Sequence, residues 1–87
     1  MTCRIDRLST EQGLVLYISG RIAAEDVEIV RSALDERRVV AIELAEVEVV
    51  DSDAVRILAQ TEAEGIELRN CPAYIREWIT KERESSS

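Results

Sequence analysis

Residues 39–51, VVAIELAEVEVVD, decide the fold of this chain of 87 residues. Residues 39–44 form an apolar run, which is typical of a strand in the middle of a sheet. Residues 45–50 place valines between glutamates, a pattern that indicates a short connection with some strand character. Asp51 ends the stretch, and aspartate is among the residues that most often begin a helix. The stretch therefore predicts a central strand that leads through an acidic connection into a helix.

The chain before this stretch predicts a hairpin and a helix. Residues 3–8 alternate apolar and charged side chains, and residues 14–18 (LVLYI) form an apolar run of strand length that we expect to end at residues 19–20. A polar turn at residues 10–13 separates the two runs and favours antiparallel pairing. Residues 23–38 then carry apolar side chains at helical spacing. A strand, a helix and a strand in this order imply a right-handed crossover and a parallel pair.

The chain after this stretch predicts a second helix, a short strand and a third helix. The second helix follows Asp51 and ends at Gly65, a residue suited to the C′ position. The third helix begins near Pro72, and Trp78 belongs to its apolar stripe, so we expect Trp78 in the core. Residues 82–87 are polar and predicted to be a disordered tail. The prediction is one α/β domain over residues 1–87, with order ββαβαβα and helices packed on one face of a mixed sheet.

Composition excludes several classes of function. The net charge of −7 argues against binding of nucleic acid and against an anionic membrane surface. No apolar run is long enough to cross a bilayer and no secretory signal is visible, so we expect a cytoplasmic protein without membrane insertion. Cys3 and Cys71 are interpreted as reduced, buried side chains rather than as a disulfide. We expect no metal site and no cofactor.

Catalytic chemistry has few candidate groups in this sequence. The chain contains no histidine, and its three glycines are isolated, so the usual general base and a phosphate-binding loop are both missing. Glu43 and Asp51 are the remaining candidates for a pair of catalytic carboxylates. Nothing in the pattern places them in a cleft. We therefore predict that the chain is not an enzyme.

Several short motifs, in this order and spacing, resemble the STAS domain, the fold of bacterial anti-sigma-factor antagonists. Residues 14–22 resemble the hydrophobic strand and glycine turn with which that family opens. Glu43, followed by Leu44 and eight residues later by Asp51, resembles its central strand and the aspartate before its key helix. Residues 65–68 resemble the glycine and the strand that follow this helix. The resemblance covers residues 14–79 and implies a non-enzymatic regulatory module in bacterial signal transduction and transcription.

The same resemblance points to a switch position that this chain has changed. In the family the helix opens with Asp-Ser-Ser/Thr-Gly, and a partner kinase phosphorylates the second hydroxyl residue. This chain reads Asp51–Ser52–Asp53–Ala54, so Asp53 stands at the position of the phosphoacceptor. An aspartate carries one negative charge where a phosphate carries about −1.5 to −2. Asp53 is expected either to mimic a phosphoserine or to act only as a helix-starting acid, with Ser52 as an alternative acceptor.

The second helix and the loop before it form the predicted partner-binding site. Asp51 is expected to cap the helix and, with the neighbouring Ser52, to belong to the site. Asp53, Arg56, Gln60 and Glu64 fall on one polar face at 100° per residue. Ile57 falls at the border of this face and is a candidate exposed contact. Carboxylates concentrated between residues 43 and 53 either steer a basic partner or form a solvated acidic loop.

The resemblance implies a protein partner, such as an anti-sigma factor or a kinase-like regulator. Two other roles remain open for a chain of this type. One is an accessory STAS subunit of a membrane transport complex, and the other is a domain that senses a nucleotide or another small ligand. The protein itself is expected to be a monomer or a weak homodimer.

Overall fold

The computed structural model describes residues 3–36 and 38–86. The elements in these ranges are β1 (Cys3–Thr10), β2 (Gly13–Ile22), a 3-10 turn (Ala24–Asp26), α1 (Val27–Glu36), β3 (Val39–Val50), α2 (Ser52–Ala63), β4 (Glu67–Arg69) and α3 (Ala73–Ser86). This order confirms the predicted ββαβαβα arrangement. None of the helices in these ranges is long and apolar enough to cross a bilayer.

The strands form one mixed sheet in the order β1-β2-β3-β4. β1 and β2 are antiparallel, which confirms the predicted hairpin. β2 pairs in parallel with β3, and β3 pairs in parallel with β4. The parallel pair β2–β3 confirms the crossover through α1.

The core lies between the helices and one face of the sheet. In β2, Leu14, Leu16 and Ile18 belong to the core cluster, whereas Val15 is buried outside this cluster and Tyr17 is exposed. Membership of the core cluster thus alternates along β2 with the period of two that is typical of a strand. The helices contribute further buried side chains to the same cluster: Val30, Ala33, Ala54, Val55, Ile57, Leu58, Ala59, Ile75 and Ile79. Each large apolar side chain buried in this way stabilises the fold by about 1.5–3 kcal/mol.

The two central strands are longer than the sequence predicted. β2 passes the expected stop at residues 19–20 and ends at Ile22, with register shifts that are typical of β-bulges. β3 includes residues 45–50, which were expected to be a connection. The reason is that Val47 and Val50 are buried, so this segment also packs against the helices. Both strands therefore reach the start of α2.

The C-terminal residues also differ from the prediction. Residues 82–87 were expected to be a disordered tail, but α3 continues to Ser86. The guanidinium of Arg83 lies 3.0 Å from a carboxylate oxygen of Glu62 in α2, and this contact holds the last turns of α3 on the domain. Ser87 lies outside the described residues.

The two cysteines are both free, as predicted, but they differ in burial. Cys3 is buried, whereas Cys71 is only half-buried, so the expectation of a fully buried Cys71 was wrong. Burial raises the pKa of both thiols, and the negative charge of Asp26 raises that of Cys3 further. A thiol with a raised pKa is a poorer nucleophile at neutral pH.

Two glycines allow a test of the β2–β3 packing. Gly13 and Gly65 have φ angles of +147° and +98°. A Cβ on Gly13 would lie 2.6 Å from the carbonyl oxygen of Arg38, whereas one on Gly65 would have no described atom within 4 Å. Gly65→Ala should lower the free energy of unfolding by about 1 kcal/mol through backbone strain alone. Gly13→Ala should cost at least about 2 kcal/mol, because the strain and the collision add.

Urea unfolding of the two variants measures this difference. Equal losses would contradict the close approach of the start of β2 to the chain just before β3.

A second prediction concerns Glu62, which joins α2 to α3. Its carboxylate accepts hydrogen bonds from Arg76 at 2.9 Å and from Arg83 at 3.0 Å. The hydrogen bond from Arg76 is the largest cause that lowers the pKa of Glu62, and Arg83 adds to it. A lowered pKa means that the stabilisation is complete above the ordinary glutamate value and is lost as the pH falls through the folded-state pKa. Glu62→Gln should therefore cost about 1 kcal/mol at pH 7, since solvent screens both half-exposed guanidiniums.

This cost should shrink as the pH falls below about 4.3, the ordinary glutamate value. Chemical unfolding from pH 7 to pH 3 measures it, with Glu64→Gln as the control that removes an exposed charge from the same end of α2. A cost that does not change with pH would contradict the ion pairs.

Candidate functional site

The carboxyl ends of β2 and β3 meet at the start of α2. The backbone N–H of Asp51 donates to the carbonyl of Ile22 at 3.2 Å, so the last residue of β2 is tied to the residue that precedes α2. In sheets with parallel strands, binding sites lie at the carboxyl ends of the strands. This end of the sheet is therefore the place where a site is expected.

Asp51 is the N-cap of α2, as predicted. Its backbone is extended, and its carboxylate accepts a hydrogen bond from the N–H of Ala54 at 3.1 Å. The carbonyl of Asp51 accepts the first helical hydrogen bond, from Val55 at 3.0 Å. A cap of this kind stabilises a helix by about 1 kcal/mol. Because its carboxylate is half-buried and already bonded, Asp51 fixes the geometry of the site.

Ser52 and Asp53 form the exposed first turn of α2. Within the described ranges, the carboxylate of Asp53 has no hydrogen bond and no ion pair. The helix does not need this carboxylate as a cap, because Asp51 already fills that role. Asp53 gains only the interaction with the helix dipole, about 0.3–1 kcal/mol. The charge of Asp53 is thus presented to solvent at a helix start that is fixed by other groups.

The polar face of α2 continues from this turn. Arg56 and Gln60 are exposed, as predicted, and Nε of Arg56 lies 3.5 Å from Oε1 of Glu82 in α3. The exposed residues Ser52, Asp53, Arg56 and Gln60 are called the α2 surface below. They form one continuous strip along the helix, since they fall on neighbouring turns.

Ile57 does not belong to this surface, so the sequence prediction of an exposed contact was wrong. Its side chain is only 8% exposed and is part of the core cluster. With Leu34 and Thr61 it lines a shallow groove of about 280 Å³ between α1 and α2. The position of α1 beside α2 covers the flank on which Ile57 lies. Helical periodicity within α2 alone could not reveal this neighbour.

The structure places Trp78 at the surface, so the expectation of a core tryptophan was also wrong. Trp78 is 37% exposed and Tyr74, one turn earlier, is 51% exposed. The hydroxyl of Tyr74 donates to the carbonyl of Glu48 in β3, and Glu82, one turn after Trp78, pairs with Arg56. Trp78 therefore lies between a contact with β3 and a contact with the α2 surface. The sequence offered one signal that was missed, the spacing of four that puts residues 74, 78 and 82 on one stripe.

Asp26 is a further buried residue near this end of the sheet, and the apolar pattern of residues 23–38 gave no sign of it. It is 4% exposed, and its carboxylate accepts a hydrogen bond from the N–H of Ala23 at 3.0 Å. This bond fixes the chain between β2 and α1, which packs next to the start of α2. The spacing of three between the acceptor and the donor is typical of such a helix-start turn.

The acidic residues between positions 43 and 53 do not form one site. Glu43 lies opposite Tyr17 in the sheet and accepts a hydrogen bond from the side-chain amide of Asn70 at 2.7 Å. Asp51 is eight residues farther along an extended strand, which separates it from Glu43 by about 25 Å. These two carboxylates cannot act on one substrate atom. No cluster that could hold a metal occurs among the residues that the structure describes.

The burial of Ile57 generates a prediction about stability. Ile57→Ala should lower the free energy of unfolding by about 2–3 kcal/mol, because it removes a packed side chain and leaves a cavity beside the groove. Gln60→Ala, one turn later on the exposed side, should cost less than about 0.5 kcal/mol. Guanidinium unfolding of both variants is the measurement. A loss of unfolding free energy for Ile57→Ala as small as that for Gln60→Ala would contradict the burial of Ile57.

Comparison with known proteins supports the fold. No protein-family model and no curated protein sequence matches the chain. Among solved structures, the chain is similar to an antisigma-factor antagonist, a STAS domain from Rhodobacter sphaeroides, with a TM-score of 0.65 and 15% sequence identity. The match covers 79% of this chain and 87% of that one. The likeness and the element order together show that this chain has the fold of a STAS domain.

Proposed function

We propose that this chain is a non-enzymatic regulatory module that binds another protein through the α2 surface. The observation that carries the proposal is the carboxylate of Asp53, which is exposed and unpaired among the described residues at a helix start fixed by Asp51. The resemblance to anti-sigma-factor antagonists supports a protein partner of the anti-sigma-factor or kinase-like kind. The proposed setting is signal transduction in a bacterial cytoplasm, upstream of transcription.

Asp53 gives this surface a permanent charge. In the family pattern this position carries a hydroxyl that gains its charge only on phosphorylation. An aspartate cannot be modified by a serine kinase, so position 53 carries one negative charge in a single state. A partner that has adapted to this charge would offer a cationic side chain or backbone N–H groups to Asp53. Such a charge-assisted hydrogen bond contributes about 1.5–3 kcal/mol.

Trp78 extends the proposed surface onto α3. Tryptophan and tyrosine are enriched among the residues that dominate binding energy, since they bury a large area at a low entropic cost. The salt bridge from Arg56 to Glu82 joins this aromatic stripe to the α2 surface. A partner that contacts both would have an acidic turn and an exposed aromatic ring to recognise.

The absence of catalysis belongs to the same proposal. Its support is the separation of Glu43 from Asp51 and the involvement of each in a structural hydrogen bond. Neither group is positioned as the free acid–base pair that hydrolysis requires.

The test is the affinity of the protein for the partner that co-purifies with it from native lysate. Asp53→Ser should weaken binding about tenfold or more in isothermal titration, through the loss of one charge-assisted contact. Asp53→Glu should keep most of the affinity, because it keeps the charge. Emission of Trp78, the single tryptophan of the chain, should shift to the blue as the partner covers it.

Glu11→Ser is the matched control, since it removes one exposed carboxylate from the turn at the opposite end of β2. Unchanged affinity for Asp53→Ser would overturn the proposed surface. Increased affinity of Asp53→Ser would mean that the charge of Asp53 inhibits binding, as the phosphate does in the family. If the protein co-purifies from lysate only as a stoichiometric part of a membrane complex, the role of an accessory subunit is favoured instead.

A further inference from the structure

β1 is an edge strand, and no described strand pairs with its outer side. It pairs only with β2 in the sheet, over eight residues and without a register break. No backbone hydrogen bond from another described segment reaches its outer side. An edge of this length and regularity is a template for pairing with another strand.

The orientation of the backbone groups on this edge follows from the pairing. The N–H of Leu14 donates to the carbonyl of Arg38 at 2.8 Å, so the backbone of Leu14 is directed toward β3. Ser9 lies opposite Leu14, and its own backbone groups therefore point away from β2. The alternation along β1 then turns the backbone groups of Cys3, Ile5 and Arg7 outward as well. These are the groups that a further strand would bond.

Side-chain charges select one register for pairing with a second copy. Arg4 and Asp6 lie on the sheet face away from the core, on either side of Ile5, with 78% and 58% of their side chains exposed. Within one chain they form an exposed ion pair, with Nε of Arg4 3.2 Å from Oδ2 of Asp6, and solvent weakens such a pair. A two-fold axis through Ile5 places Arg4 of each copy directly opposite Asp6 of the other. An axis through Arg4, Asp6 or Arg7 would instead place like charges opposite each other. The half-buried Ile5 would meet its own copy on the axis.

We propose that β1 pairs antiparallel with β1 of a second copy in the register centred on Ile5. The two sheets would become one continuous sheet, and Cys3 would pair through the backbone with Arg7 of the second copy. Two strands bury much less surface than a standard interface, so the dimer is weak and concentration-dependent. β2 separates β1 from β3 and α2, and both copies would therefore keep the α2 surface free. The proposal does not depend on the proposed function.

The experiment is sedimentation equilibrium of the purified protein up to millimolar concentration. The wild type should show a reversible monomer–dimer equilibrium. Arg4→Asp and Asp6→Arg should each weaken dimerisation by about tenfold or more, because each places like charges opposite each other twice. The double variant Arg4→Asp/Asp6→Arg should recover the wild-type dissociation constant, since it restores both pairs in reverse.

Asp35→Arg, a charge reversal on the exposed side of α1, is the control and should leave the dissociation constant unchanged. The urea unfolding midpoint of each variant checks that it is folded. We expect all of them to fold, because the side chains of Arg4 and Asp6 are exposed. A wild type that stays monomeric at every concentration would overturn the proposal. A dimer that is insensitive to the single reversals, or that the double variant does not restore, would overturn it as well.

Discussion

The hydrogen bond from the N–H of Asp51 to the carbonyl of Ile22 is the contact on which the arrangement of the site depends. It joins the carboxyl ends of two parallel strands at the residue where α2 begins. The side chain of the same residue caps α2 through the N–H of Ala54. One aspartate thus fixes both the position and the direction of the helix. The exposed turn at Asp53 therefore follows directly on a residue that is bonded to both β2 and α2.

The order of the elements could be read from the sequence because it rests on local patterns. Residues 39–44 have the apolar run of a buried strand, and Gly65 marks the end of α2 with a positive φ. The burial of Ile57 and the exposure of Trp78 depend instead on contacts between segments that are distant in the sequence. Ile57 is buried by α1, and Trp78 is turned outward because α3 is anchored by Tyr74 on β3 and by Arg76 on Glu62. No window of sequence around either residue contains those partners.

The site combines a stable scaffold with a small number of exposed groups. Asp51 and Asp26 are bonded to backbone N–H groups and shape the two loops, whereas Asp53 is exposed and unbonded among the described residues. This division explains how a chain with 15% identity to a STAS domain of solved structure can keep the same fold. The fold needs the N-cap and the buried strands, and it tolerates any residue suited to a first helical turn at position 53.

The start of α2, extended by Trp78, is the surface proposed to meet the partner. The most direct measurement is an amide chemical-shift map of the isotope-labelled protein during titration with the unlabelled co-purified partner. Binding through this surface should give shifts concentrated at residues 51–60 and at the indole N–H of Trp78, with residues 9–13 unchanged. Shifts confined to the hairpin turn or to the sheet face that carries Tyr17 would contradict it.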